Sequence, residues 1–215
     1  MILAFLVFWP FVGGLLAYCV GNGFIKGLSE KNCELCRDYL ADFVTASEFA
    51  AAVVLLFLGR KLGFGESLTA MRIPEICGLG LSFTLDGFRL IYGAMASLMW
   101  MMTAILSREY FTHHRNRNRF YLFFLLTEGA AMGVFLSADL FTTFIFFEIM
   151  SLTSYVWVAQ EEDRGALRAA GTYLAVALTG GLVMLMGLFL LYNKLGTLTI
   201  SSTMLLVIAI PRPVP

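Results

Sequence analysis

Long apolar stretches alternate with short polar ones along the whole chain, and their spacing predicts six helices. The apolar runs are 2–21, 40–59, 88–106, 120–136, 140–159 and 169–192. Each is close to the ~20 residues that an α-helix needs to cross about 30 Å of hydrocarbon. Pro10 lies near the middle of the first run, where the missing backbone donor predicts a kink or a break. No basic segment precedes that run and no small-residue cleavage site follows it, so it reads as a mature span and not as a signal peptide. Residues 63–85 are rich in Gly and contain Pro74, which predicts an irregular or short amphipathic connection. Only Ser137 to Asp139 separate the fourth and fifth runs, so these two helices are expected to be antiparallel neighbours. A last apolar stretch, 205–210, is too short to span and ends in a proline-rich tail.

The resulting expectation is an all-α membrane protein of about six transmembrane helices, in three parts. Residues 1–82 hold the first two helices and their connection, 83–200 hold a core of helices three to six, and 201–215 form a short tail. Composition agrees. Hydrophobic residues make up 59% of the chain and charged residues only 14%, against about 25% charged in an average soluble domain. Formal net charge is zero, which gives no basic excess with which to bind nucleic acid.

Loops rich in Lys and Arg stay cytoplasmic. Arg108, Arg115, Arg117 and Arg119 follow the third span, Lys26, Lys31 and Arg37 follow the first, and Arg164 and Arg168 follow the fifth. Placing these loops inside sets both termini of a six-span protein outside, in a cell membrane. His113 and His114 fall in the most basic loop and read as solvated.

Glu148 is the first candidate for chemistry. It lies in the middle of the fifth run, where a carboxylate costs roughly 2.5–3.5 kcal/mol on insertion scales and by default marks an ion path. On a helix Ser151 and Tyr155 share its face at i+3 and i+7. This stripe reads either as a short proton relay or as hydroxyl groups that hold helices together. Glu128 lies at depth in the fourth run, beside Gly129 and Gly133, whose spacing suits close helix approach. Glu48 lies in the second run, which is marginal in length, and the expectation is that it sits near a membrane surface. Asp86 and Arg89 are one turn apart and can pair, and Asp139 is placed to cap the fifth helix. Cys33 and Cys36 form a C-x-x-C in the first loop. Without a second pair or a nearby histidine they read as free thiols, because a zinc or iron–sulfur site takes four ligands. No phosphate loop, nucleophile triad or nicotinamide fingerprint is present, so neither a cofactor nor a soluble-substrate active site is expected.

The stretches FTLDGFRLIYGAMASLMWMMTAILSREY, GVFLSADLFTTFIFFEIMSLTSYVWVA and ALRAAGTYLAVALTGGLVMLMGLFLLYNKLGTL resemble the antiporter-like subunits shared by respiratory complex I, Mrp-type Na⁺/H⁺ antiporters and membrane-bound hydrogenases. The resemblance covers about 83–200 and implies the N-terminal portion of an inverted-repeat bundle. It implies a membrane subunit that translocates H⁺, or exchanges Na⁺ for H⁺, in company with other membrane subunits. Any redox catalysis would belong to those partners. The glutamate of the family's fifth helix, essential to proton translocation, maps onto Glu148, and Glu128, Ser151 and Tyr155 join it as candidate relay groups. The lysine that partners this glutamate belongs to a seventh, broken helix, for which Lys194 is no equivalent. Two readings stay open: a translocating subunit completed by helices from other chains, or a truncated structural subunit without transport.

Overall fold

A computed structural model describes residues 2–23, 30–62, 69–74, 79–111 and 116–200. The histidines, Cys77, Arg115 and the C-terminal tail, with its short apolar stretch, lie outside them. The elements in chain order are α1 (Ile2–Gly21), α2 (Glu30–Leu62), β1 (Thr69–Ile73), β2 (Leu81–Leu85), α3 (Gly87–Tyr110), α4 (Arg117–Leu136), α5 (Leu140–Val158) and α6 (Arg164–Leu195). All six helices are long and apolar enough to cross a membrane. α1 runs through Pro10 as one helix, so the proline does not divide it.

Two elements differ from the sequence expectation. α2 begins ten residues earlier than the apolar run, because its polar first turns are satisfied by ion pairs. Arg37 and Asp38 are buried there, Arg37 donating from Nε and Nη2 to Asp38 Oδ1 at 3.0 and 2.7 Å. Arg117 of α4 donates to Asp38 Oδ2 at 2.6 Å, and Arg37 also bonds Asn118. Cys33 and Cys36 therefore stand on a helix and not in a loop. Cys33 is buried, Cys36 is exposed, and both are free thiols.

The second difference lies in 63–85, part of which is an antiparallel hairpin with Thr69 opposite Leu85 and Ile73 opposite Leu81. Alternate residues of a strand face one side, and Leu81, Phe83 and Leu85 point into a core formed with Leu3, Leu6, Val7, Leu90, Met132, Leu136 and Phe146. The hairpin thus closes one end of the bundle. Ala138 N–H donates to Ser82 C=O at 2.8 Å, and Leu140 N–H to Leu198 C=O at 3.0 Å, which ties the α4–α5 turn to the hairpin and to the segment after α6.

At the opposite end, ion pairs join the start of α4 to α2 and to the α5–α6 turn, and the end of α3 to α2. Arg108 pairs with Asp42 at 3.2 Å, and Arg119 with Glu162. This basic end gathers the Arg-bearing segments that the positive-inside argument groups together.

α4 lies at the centre, touching α1, α2, α3 and α5. Glycines permit the closest of these approaches. A Cβ at Gly129 would run into the ring of Phe11 and lie 3.0 Å from the Val7 carbonyl, and one at Gly133 would overlap the ring of Phe146. α6 is the peripheral helix. It packs on α5 and leaves Val176, Leu182, Val183, Met186, Phe189 and Leu190 exposed.

Candidate functional site: buried carboxyls at bilayer depth

α5 starts sharply because Asp139 caps it. Its Oδ1 accepts from Thr142 N–H at 2.6 Å and its Oδ2 from the Thr142 hydroxyl at 2.8 Å. The Thr142 hydroxyl in turn accepts from Ser82 N–H at 2.9 Å, so helix start and hairpin are fixed to one another. The same device opens α3, where Asp86 Oδ1 accepts from Arg89 N–H at 2.8 Å and its other oxygen pairs with the Arg89 guanidinium. Asp139 takes the capping role expected of it, and Asp86 makes the expected pair with Arg89 and caps α3 besides.

With its start fixed, α5 holds Glu148 at its midpoint, about 12 Å along the axis from Leu140 at 1.5 Å per residue. The side chain lies against Gly181 of α6, where any Cβ would overlap the carboxyl. Glu148 Oε1 is buried and has no hydrogen-bond partner. An unsatisfied buried polar atom is costly, and here it belongs to a group able to gain and lose a proton. Ser151, on the same face, is buried and lines a cavity of about 510 Å³ with Phe147, Thr172, Tyr173, Gly181 and Met184. Tyr155, one turn further, is half-buried and does not line it. Glu148 and Ser151 are thus brought together around Gly181, and Tyr155 stands apart.

Glu128 is placed elsewhere. It is 1% exposed, in the middle of α4, and both its oxygens lack partners. The group that shares its surroundings is Glu48, 0% exposed, likewise with both oxygens unpartnered, and the two carboxyls interact electrostatically. This corrects the expectation that Glu48 sits near a surface. Because α2 spans 32–59, Glu48 is near its centre. The polar stripe Asp38, Asp42, Thr45 and Glu48, at helical spacing, is the signal in the sequence that could have located it.

One polar contact leads from α4 toward α5. The Thr127 hydroxyl donates to Thr153 Oγ1 at 2.8 Å, and both threonines are buried. Thr127 adjoins Glu128 in sequence, and Thr153 lies two residues beyond Ser151.

Residues 137–210 match the family described as NADH:quinone oxidoreductase/Mrp antiporter, transmembrane. An antiporter subunit mnhD2 of Staphylococcus haemolyticus is 35% identical over 128 residues, which is 59% of this chain and 25% of that protein. The subunit of the same name from Staphylococcus aureus strain JH9 is 34% identical over 124 residues, 57% of this chain and 24% of its own length. The chain therefore spans about a quarter of the length of these relatives. In fold it is similar to a chain of the membrane-bound sulfane sulfur reductase, an archaeal respiratory membrane complex, with a TM-score of 0.77 and 19% identity over 94% of this chain and 39% of that one. Respiratory complex I from Thermus thermophilus contains a further match, with a TM-score of 0.72 and 21% identity over 94% of this chain and 38% of that one.

Proposed function

We propose that this chain, similar to the antiporter-like membrane subunits of complex I and Mrp antiporters, translocates protons, or exchanges Na⁺ for H⁺, as one membrane subunit of a larger complex. In this reading Glu148 is the carboxyl that takes up and releases the proton. The observation that carries it is the unpartnered, buried Oε1 of Glu148 pressed against Gly181 at bilayer depth. A carboxyl satisfied by fixed protein donors would have little reason to exchange its proton. One without a permanent partner can answer to a charge that comes and goes.

That charge is a cation presented across the open α5–α6 face by a further helix. Its approach favours the carboxylate and so releases the proton, and its withdrawal favours uptake. Ser151 stands next to the carboxyl as a donor and acceptor at the cavity wall, where water could bridge it to Glu148. Tyr155, one turn toward the basic end, is where such a water file would next find a hydroxyl.

The reading is tested by purifying the tagged chain from its native membrane in mild detergent and identifying its companions by mass spectrometry. Recovery with other membrane subunits of an ion-translocating assembly is the expected result. Recovery alone, with no proton flux in liposomes, would overturn it in favour of a structural subunit without transport.

A further inference from the structure

Glu48 of α2 and Glu128 of α4 make up a second acidic site, separate from the Glu148 pocket between α5 and α6. Their helices, α2 and α4, are in contact, and the residues about one turn from each acid on its own helix, Val44 and Ala52 of α2 and Ala131 and Met132 of α4, are buried and apolar. α1, which packs on both helices, brings no charged side chain among its described residues. The charged groups of α3 lie at its two ends, with Arg89 paired to Asp86 and Arg108 paired to Asp42. Arg37 and Arg117 are engaged by Asp38. Among the described residues no cation pairs with Glu48 or Glu128, and all four of their oxygens lack a partner.

Two ionised carboxylates so placed would repel one another in a medium that screens poorly. A proton held on either of them removes that repulsion. A metal cation is a poorer fit, since hard cations take about six or more oxygens and this pair offers four in apolar surroundings. We propose that Glu48 and Glu128 form a proton-storing couple, distinct from Glu148, that cycles between two bound protons and one. On release one carboxyl O–H bond breaks and the proton leaves to water, while the other carboxyl keeps its proton. On reloading, water at the basic end returns it.

Access runs along α2. Asp38, Asp42, Thr45 and Glu48 fall at i, i+4, i+7 and i+10, within one stripe about 15 Å long. Asp38 and Asp42 carry the ion pairs at the basic end, and Asp42 Oδ1 has no partner of its own. Thr45, buried, comes between Asp42 and Glu48 in the stripe, and its hydroxyl donates to the Ala41 and Asp42 carbonyls while its oxygen can still accept. The proposal does not depend on the role assigned to Glu148.

The test is an infrared pH titration of the protonated-carboxyl band on the full chain in lipid nanodiscs, taking the part of the band absent from the Glu48→Gln/Glu128→Gln double variant. Two steps are expected in the wild type. In both single glutamine variants the surviving carboxyl, its neighbour now neutral, should titrate in one step at least about one pH unit below the upper wild-type step, the coupling at which titrations belong to the pair. A survivor that keeps the upper wild-type midpoint would mean independent acids and overturn the couple. Should a glutamine variant fail to give a helical, monodisperse sample, Glu48→Asp and Glu128→Asp serve instead. Both are expected to keep two steps, and a single step in both overturns the proposal. Exchanging K⁺ for Na⁺ should move nothing, and a Na⁺-dependent displacement would overturn the proton assignment. Glu148→Gln should leave both steps in place, which separates this result from the fate of the Glu148 reading. Thr45→Val should slow deuterium exchange of the band several-fold, and exchange at the wild-type rate would overturn the α2 route.

Discussion

The carboxyl of Glu148 occupies the space that a side chain at Gly181 would need. Gly181 is consequently not just a point of close helix packing. It shapes the slot that holds the acid, and the carboxyl cannot shift toward α6 without losing that slot.

Gly181→Ala is expected to push the Glu148 carboxyl out of its slot. Overpacking of this kind costs about 1–3 kcal/mol, so the helix should survive while ion flux through the assembled complex falls several-fold. Gly180→Ala and Gly187→Ala are the controls, because a Cβ at either meets nothing within 4 Å, and they should leave flux at the wild-type level. Flux from all three variants in everted vesicles checks this, and equal flux in all three would contradict it.

Gly133→Ala should weaken the α4–α5 contact by forcing the ring of Phe146 to move. A loss of about 1–3 kcal/mol is expected for such overpacking, read as a lower thermal midpoint in detergent. Trimming the neighbour in Gly133→Ala/Phe146→Leu should restore part of that loss, and a double variant no better than the single one would argue against the contact.

Asp139→Ala removes the cap of α5 and leaves Thr142 N–H without its side-chain acceptor. Loss of a cap costs about 0.5–2 kcal/mol. Faster amide exchange should follow in the first turn of α5 and, through the Thr142 to Ser82 bond, in β2. Exchange confined to α5 would show that the hairpin is held independently.

Arg37→Ala strips Asp38 of one of its two cations while Arg117 remains. Breaking a buried pair costs about 3–5 kcal/mol, and the exposed pair of Arg119 with Glu162 should matter far less, at about 0–1 kcal/mol. Thermal unfolding of Arg37→Ala beside Arg119→Ala tests the ranking, and equal midpoints would contradict it.

Helix number and order were legible in the sequence because the bilayer imposes a length on each apolar run. The cap at Asp139 and the pairing of Asp86 with Arg89 were legible too, since both are decided within four residues. What escaped was everything that depends on polar groups satisfied from a distance. The start of α2 reads as a loop because Glu30 to Tyr39 is polar, yet Asp38 is satisfied by Arg117, seventy-nine residues away in sequence, and the helix runs through. Misplacing that start put Glu48 near a surface when it lies at the centre of its span. The hairpin escaped because the glycines and Pro74 outweighed the alternation in Leu81–Leu85, which has strand periodicity. Glu148, Ser151 and Tyr155 were read from one helix's periodicity, which orders a stripe but does not say what faces it. The neighbour that distinguishes them, Gly181, comes from another helix, and hydropathy carries no record of that pairing.

Proton flux into liposomes carrying the purified complex, measured side by side for wild type and Glu148→Gln, tests the central claim most directly. The substitution keeps size and hydrogen-bonding capacity and removes only the exchangeable proton. Assembly with the same companions and loss of flux is the predicted result. A Glu148→Gln complex that assembles and pumps at the wild-type rate would contradict the assignment of Glu148 as the working carboxyl.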